Sequence, residues 1–335
     1  MIQRLASLKL TLVGMLLLLA GVLGSYRDPA ASIWWLVVPL GLLGVNLLCA
    51  IVFNPRFRHQ TGLLVFHVCL LGILVLAAVG QLVSLTGRVE ITEGQAFAPA
   101  LVQVVKKGPW HPWKRLDSVS FAQGPIVVDY QAQLVRSRTL SQVQVTAGSA
   151  FRAVEFGDTI PLTLSGYRFY TTSNKGYSAV LTWYGDDGTV QTGTVHLPSY
   201  PLQDWNQRQH WTTPAGTPVE VGLSIPARGS DQEPWRLDSR LAAGQLTVAV
   251  DGRSAAVLQP GQQFRLPGGQ LRYVEPRMWM GYELFYDPTL PWLVAAALLA
   301  VIALAWHFWE KLWSRPLPGE RHVMADEYRD RAVRI

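Results

Sequence analysis

His67 lies in the apolar run LLVFHVCLLG (63–72) and His307 in ALAWHFWE (303–310). Imidazole titrates near neutral pH, and its neutral form is a good ligand for iron. An ionisable side chain in hydrocarbon is costly unless it faces a partner, a cavity or a cofactor. If these runs are helices crossing a membrane in opposite directions, His67 stands roughly 8 Å above the inner end of its helix, and His307 about one turn above its own. Comparable depth in the inner leaflet is what two axial ligands of a haem require. Each residue also has an ordinary reading: His67 as a hydrogen-bonding packing residue, His307 as a headgroup-level residue. Asn46, in another apolar run, reads as helix–helix glue rather than a ligand.

Little else in the chain is arranged for chemistry. The two cysteines, Cys49 and Cys69, fall inside apolar runs and form no CxxC pair, which excludes dithiol redox chemistry by this chain alone. His111, His196 and His210 are scattered without metal-ligand spacing and read as surface or satisfied core residues. Asp186 and Asp187 sit in a turn and not as a paired acid and base. There is no phosphate-binding glycine loop, nucleophile elbow or HExxH. No catalytic residue is assigned.

The histidines need elements to hold them. Of 335 residues 49% are hydrophobic and only 16% charged, against about 25% charged in an average soluble domain. The deficit falls in four apolar stretches: about Leu8–Gly24, Ile33–Phe53, Gly62–Leu85 and Leu290–Trp309. Each approaches the ~20 residues a transmembrane helix needs. The first has Arg4 and Lys9 before it, as a signal peptide would, but no A-x-A site follows. Arg4 and Lys9, then Arg56 and Arg58, then Lys311, Arg315, Arg321, Arg329, Arg331 and Arg334 flank the same ends of the spans, whereas the loop between spans one and two carries only Arg27 beside Asp28. The positive-inside rule then puts both termini in the cytoplasm and about Thr86–Thr289 outside. Trp34, Trp35 and Trp292 fall at outer span ends, and Trp309 and Trp313 at an inner one, as an interfacial aromatic belt. The net charge of +6 belongs to these flanks and forms no basic patch with interleaved aromatics, which excludes nucleic acid as a partner. Membrane lipid is the partner it implies.

The outer segment is rich in Val, Thr, Tyr and Gln and punctuated by Gly and Pro. Ile160–Leu164 and Leu246–Val250 read as strands, and Gly185–Gly188 as a hairpin turn between Ala179–Tyr184 and Thr189–His196. It carries no amphipathic helix of useful length. The expected fold class is a membrane protein with four transmembrane α-helices, three N-terminal and one C-terminal, and a large periplasmic all-β domain, sandwich- or barrel-like. The divisions are 1–86 (three spans), 87–288 (the β-rich domain), 289–310 (the fourth span) and 311–335 (a basic cytoplasmic tail). The segments starting at Gly157 and Gly261 align at an offset of 104, Arg168 with Arg272 and Phe169 with Tyr273. Either the domain contains two related β-units, or the match is chance between Gly-turn-strand patterns.

The stretch Phe57–Phe97 (FRHQTGLLVFHVCLLGILVLAAVGQLVSLTGRVEITEGQAF) resembles the signature of the ResB/CcsB family of cytochrome c biogenesis proteins. There an in-to-out span carries a histidine, and a strand with a Glu-Gly turn follows at once. LASLKLTLVGMLLLLAGVLGS resembles the family's first helix, VNLLCAIVFNPRFR its second span and basic loop, and Gly281–Trp309 its last strand, Asp-Pro entry and fourth span. The likeness is weak through about Leu101–Arg272. The resemblance implies a subunit acting with a ResC/CcsA-like WWD-domain membrane protein in the bacterial cytoplasmic (inner) membrane. The pair exports haem b and presents it to exported apocytochrome c, with thiol-reducing proteins involved indirectly. It implies His67 as the transmembrane haem-iron ligand, with His307 a further cofactor-binding candidate. The outer domain is shorter than is usual for the family, and Trp34-Trp35 is followed by Leu, so the WWD motif is absent and the chain is not a complete haem lyase. The chief alternative is a non-catalytic membrane-anchored β-domain that binds or scaffolds an exported envelope protein. A transporter is disfavoured, since four spans carry only three strongly polar side chains, whereas transporters usually show inverted repeats and broken helices.

Overall fold

A computed structural model describes residues 6–313, apart from 29–30, 56, 58–59, 148–149, 202–206, 225–232, 239–243 and 251. Arg4, Arg56, Arg58, Arg315, Arg321, Arg329, Arg331 and Arg334 lie outside the described residues. The chain forms two compact units: one contains the long helices and Lys107–His111, the other residues 85–106 and 112–286.

The helical unit contains α1 (Leu8–Arg27), α2 (Trp34–Phe53), α3 (Thr61–Val83) and, after the β-rich segment, a last helix at Leu290–Trp313. All four are long and apolar enough to cross a membrane. Three of them run past the stretches read from hydropathy: α1 to Arg27, α3 from Thr61 and the last helix to Trp313, because polar end residues still continue the helical hydrogen-bond ladder. Glycines set how closely they pack. A Cβ on Gly14 would press on Leu43, and one on Gly21 would collide with the carbonyl of Trp35, so α1 lies antiparallel and tight against α2. At the opposite end Thr11 donates to Asn46 Oδ1 at 2.7 Å, and Asn46 Nδ2 donates to the Ser7 carbonyl at 3.2 Å. Asn46 is therefore interhelical glue, as its sequence context implied. Pro39 sits inside α2 without ending it, as membrane helices allow.

The other unit is all strand apart from one five-residue helix, α4 (Trp113–Asp117), and two short 3₁₀ turns, among the described residues. Its strands are β1 (Leu85–Thr92), β2 (Gln103–Lys107), β3 (Phe121–Tyr130), β4 (Arg136–Ala147), β5 (Ala150–Gly157), β6 (Leu162–Leu164), β7 (Tyr167–Gly185) and β8 (Val190–His196). There follow β9 (Arg208–Thr212), β10 (Pro218–Ser224), β11 (Trp235–Asp238), β12 (Gln245–Val250), β13 (Arg253–Leu258), β14 (Gln263–Leu266) and β15 (Gly269–Tyr286). The last helix, Leu290–Trp313, is α5. The largest sheet runs β2-β1-β15-β7-β6, with β14 on β15 and β8 on β7; β13-β12-β10-β9 and β11-β3-β4-β5 form two more. Period-2 alternation drives this arrangement. In β1, Leu85, Val89 and Ile91 are buried while Arg88 and Glu90 face outward. The long strands β7 and β15 pair antiparallel and contribute Tyr167, Phe169, Leu271, Tyr273, Tyr282 and Leu284 to one continuous apolar core.

The hairpin β7–β8 turns at Gly185–Gly188, where Gly188 takes a φ of +83° that other residues adopt poorly. β12 matches the strand read at Leu246–Val250. Ile160 and Pro161, read as strand, are not. The carbonyl of Ile160 accepts from Gly157 N in a turn, and Pro161 has no N–H to give, so pairing starts only at Leu162. The segments from Gly157 and Gly261 each form a short strand, a turn with a positive-φ glycine (Gly166, Gly268) and a long strand. The two turns are related by an offset of 102, not the 104 of the sequence alignment.

Candidate functional site

His67 is in the second turn of α3, half-buried. Its Nδ1 lies 2.7 Å from the carbonyl oxygen of Leu63, one turn earlier. A carbonyl only accepts, so Nδ1 carries a proton, and Nε2 is the nitrogen through which the neutral ring would ligate a metal. No hydrogen bond to Nε2 is found among the described residues. The Phe57 ring, itself 8% exposed, lies tilted at 4.5 Å from the imidazole, and Phe66 approaches edge-on at 5.3 Å. The site is thus an imidazole with one nitrogen tied to backbone, two aromatic walls and a second nitrogen without a hydrogen bond among the described residues. This is the usual state of a metal-bound histidine, whose non-ligating N–H is held by a carbonyl or carboxylate. Phe57 precedes the helix, and only the fold shows that it covers the ring.

His307 occupies a different setting. It is 5% exposed, and a Cβ on Gly62 would stand 3.0 Å from its N, Cα and Cβ. The backbones of α3 and α5 are therefore nearly touching here, and Gly62 exists to allow it. His67 lies five residues beyond Gly62, about 7.5 Å along the axis and some 140° around it. The fold brings both histidines to the same end of the bundle but presents them on different faces of α3.

Three further histidines fall among the described residues; His59 and His322 lie outside them. His111 is buried, with Nδ1 2.9 Å from the Val83 carbonyl; burial first, then the charge of Lys107, holds its pKa below the ordinary value against that hydrogen bond. The side chain of His210 is 90% exposed. His196 forms a network that sequence reasoning missed. Its Nδ1 is 3.0 Å from Glu90 Oε2, its Nε2 is 2.9 Å from Thr92 Oγ1, and its ring stacks on Trp279 at 5.0 Å. Glu90 also accepts from Asn174, and the His196 hydrogen bond is the main cause that lowers its pKa, against partial burial. Glu90, His196 and Asn174 line a cavity of about 610 Å³ that Arg88 and Glu283 also border. Thr92, His196 and Glu90 follow the order of a nucleophile–base–acid relay, but Thr92 is 1% exposed and no substrate reaches its hydroxyl. Residues 90 and 196 are brought together by β1–β15–β7–β8 pairing, for which the sequence offers no local signal. Among the described residues there is no group of three or more His, Cys, Asp or Glu able to hold a metal ion.

A family model described as ResB, ResB-like family, matches residues 56–315. A solved structure titled "Cytochrome c Heme Lyase CcmF" aligns over 90% of this chain at 10% identity with a TM-score of 0.30, and the chain spans 35% of that protein's length. That likeness is too distant to carry a functional argument. No curated protein matches the chain.

Proposed function

This chain belongs to the ResB-like family, and we propose that it is the haem-handling subunit of a cytochrome c biogenesis complex, holding or exporting haem b and assisting its attachment to exported apocytochrome c. One observation carries the reading: His67 stands within a transmembrane helix with Nδ1 bonded to Leu63 and Nε2 without a protein partner among the described residues. An unpaired ring nitrogen in hydrocarbon is a cost that a structural histidine would avoid. Iron removes it.

Haem is the cargo here, and when bound it supplies the vinyl groups to which cysteine thiols add. The chain's own residues bind and orient it. The Leu63 carbonyl fixes the His67 tautomer and ring plane, and Phe57 and Phe66 keep water from the nitrogen. Val65 and Val68 on the same helix are exposed, so the open side suits a second membrane protein, for which a ResC/CcsA-like WWD partner is the candidate. His307 remains a second candidate ligand, with the lesser claim because its backbone is packed onto Gly62. Residues 87–288 contain no cysteine, so no thiol of this segment forms mixed disulfides with a substrate's cysteines. The positive-inside count supports a periplasmic position for this segment, where apocytochrome c is met.

The test is a visible absorption spectrum of the detergent-purified protein, co-expressed with a WWD-type partner, oxidised and reduced. The expected result is a Soret band with sharp reduced α and β bands, lost in His67→Ala and weakened less in His307→Ala. Haem retained in full by His67→Ala removes that residue as ligand. No haem under any expression condition shifts the assignment to an anchored module that binds an exported envelope protein.

A further inference from the structure

The segment Lys107–His111 (KGPWH) belongs to the polar part of the sequence, yet it groups with the helical unit. The reason is a set of hydrogen bonds to the end of α3. A helix leaves its last carbonyls without intrahelical donors. Here Trp110 N donates to the Leu82 carbonyl at 2.9 Å, His111 Nδ1 to the Val83 carbonyl at 2.9 Å and Gly108 N to the Ser84 carbonyl at 2.8 Å. Gly108 is needed for the approach, because a Cβ there would collide with Leu82's carbonyl oxygen. His111, buried and held toward its neutral form, donates from Nδ1 as the contact requires. The chain thus uses a remote loop as the cap of a membrane helix.

This fixes the depth of the loop. α3 has 23 residues, about 34 Å at 1.5 Å per residue, against a hydrocarbon core of about 30 Å. A residue bonded to its last turn stands at the boundary of that core. Trp110 there is 65% exposed, with its backbone N–H bonded to the Leu82 carbonyl. The same end of the bundle carries Tyr26 in the last turn of α1, Trp34 and Trp35 in the first of α2, and Trp292 in the first of α5, all exposed. Close approaches of Gly21 to Trp35 and of Gly80 to Thr289 bring those ends together. Indole rings favour this layer because they are amphipathic. Lys107, exposed beside Trp110, adds a cation where lipid phosphates lie.

We propose that Lys107–His111 is a lipid-headgroup anchor, with Trp110 set in the headgroup layer at the end of α3 and Lys107 against the phosphates of anionic phospholipid. The anchor rests on α3 being a span, and its test separates the two. In a Cys49→Ala, Cys69→Ala background, single cysteines replace Trp110, Val68 in mid-α3 and Phe151 on β5. Each is spin-labelled in the full-length protein and reconstituted in phosphatidylethanolamine–phosphatidylglycerol vesicles. Accessibility to oxygen and to a nickel chelate is then measured. The expected result is hydrocarbon at Val68, water at Phe151 and the intermediate headgroup value at Trp110. Adding Gly108→Val, whose side chain meets the Leu82 carbonyl, moves the Trp110 site toward water. Lys107→Gln lowers retention of phosphatidylglycerol through delipidation, read by native mass spectrometry. A Trp110 label as water-exposed as Phe151 overturns the anchor and leaves the span standing. A Val68 label outside hydrocarbon overturns both. Unchanged phosphatidylglycerol retention in Lys107→Gln overturns the headgroup contact.

Discussion

Replacing Lys175 with methionine stabilises the β-rich unit. Lys175 lies in β7 and is 2% exposed, with its ammonium 5.8 Å from the centre of the Tyr130 ring. Burial is the main cause that pushes its pKa down, to about 8 from an ordinary 10.5; Arg136 adds to the depression and Asp158 opposes it. At 1.36 kcal/mol per unit, that gap means the folded state pays about 3 kcal/mol to keep the lysine charged at neutral pH. Methionine fills similar volume without the charge, and loses a cation–π contact worth about 0.5–1 kcal/mol. The net gain of about 2 kcal/mol corresponds to about 4–8 °C in melting temperature for a unit of this size. The pH dependence is distinctive. Between pH 8 and 10.5 the unfolded chain holds the proton that the folded chain has released, so stability rises with pH there, and below pH 8 the full penalty applies. Phenol ionisation in the unfolded chain opposes the trend above about pH 10, since burial pushes the Tyr130 phenol up to about 12 in the fold. The assay is thermal unfolding of the detergent-solubilised protein, followed by tryptophan fluorescence from pH 7 to 9.5. The wild type gains stability across pH 8–9.5 and Lys175→Met stays flat. A variant that melts lower than wild type at pH 7.5, or that keeps the same rise, refutes the reasoning.

Two further outcomes are expected. Gly62→Ala drives a methyl into the His307 backbone, and with backbone on the receiving side this costs about 1–3 kcal/mol; an unchanged melting temperature would mean that α3 and α5 separate freely. Glu90, held below the ordinary carboxylate value of 4.5 chiefly by His196, contributes stability above that pH, and the contribution disappears as pH falls through its folded pKa. The melting difference between wild type and Glu90→Gln therefore narrows on acidification from neutral pH to about 3, and a constant difference would mean that the contact does not depend on the charge.

Much of this molecule is local, and the sequence alone determined that part. Four spans follow from runs of about 20 apolar residues, because hydrocarbon forces every backbone group to bond within its own helix. His67 stood out for the same reason: an ionisable group in such a run is conspicuous without any coordinates. The β7–β8 hairpin was legible because a glycine in the turn supplies the positive φ that a tight reversal needs. Only the tertiary structure decided what depends on distant partners. Glu90 meets His196 across 106 residues, which requires the four strands β1, β15, β7 and β8 to pair in register. Lys175, in a polar stretch of sequence, is buried, with its ammonium 5.8 Å from the centre of the Tyr130 ring on β3. Phe57 covers the His67 ring, and Gly62, unremarkable in sequence, lets α5 close on α3. Trp110 belongs to the membrane boundary because α3 ends with carbonyls that its own helix cannot satisfy, and the donors come from a loop some twenty-five residues later.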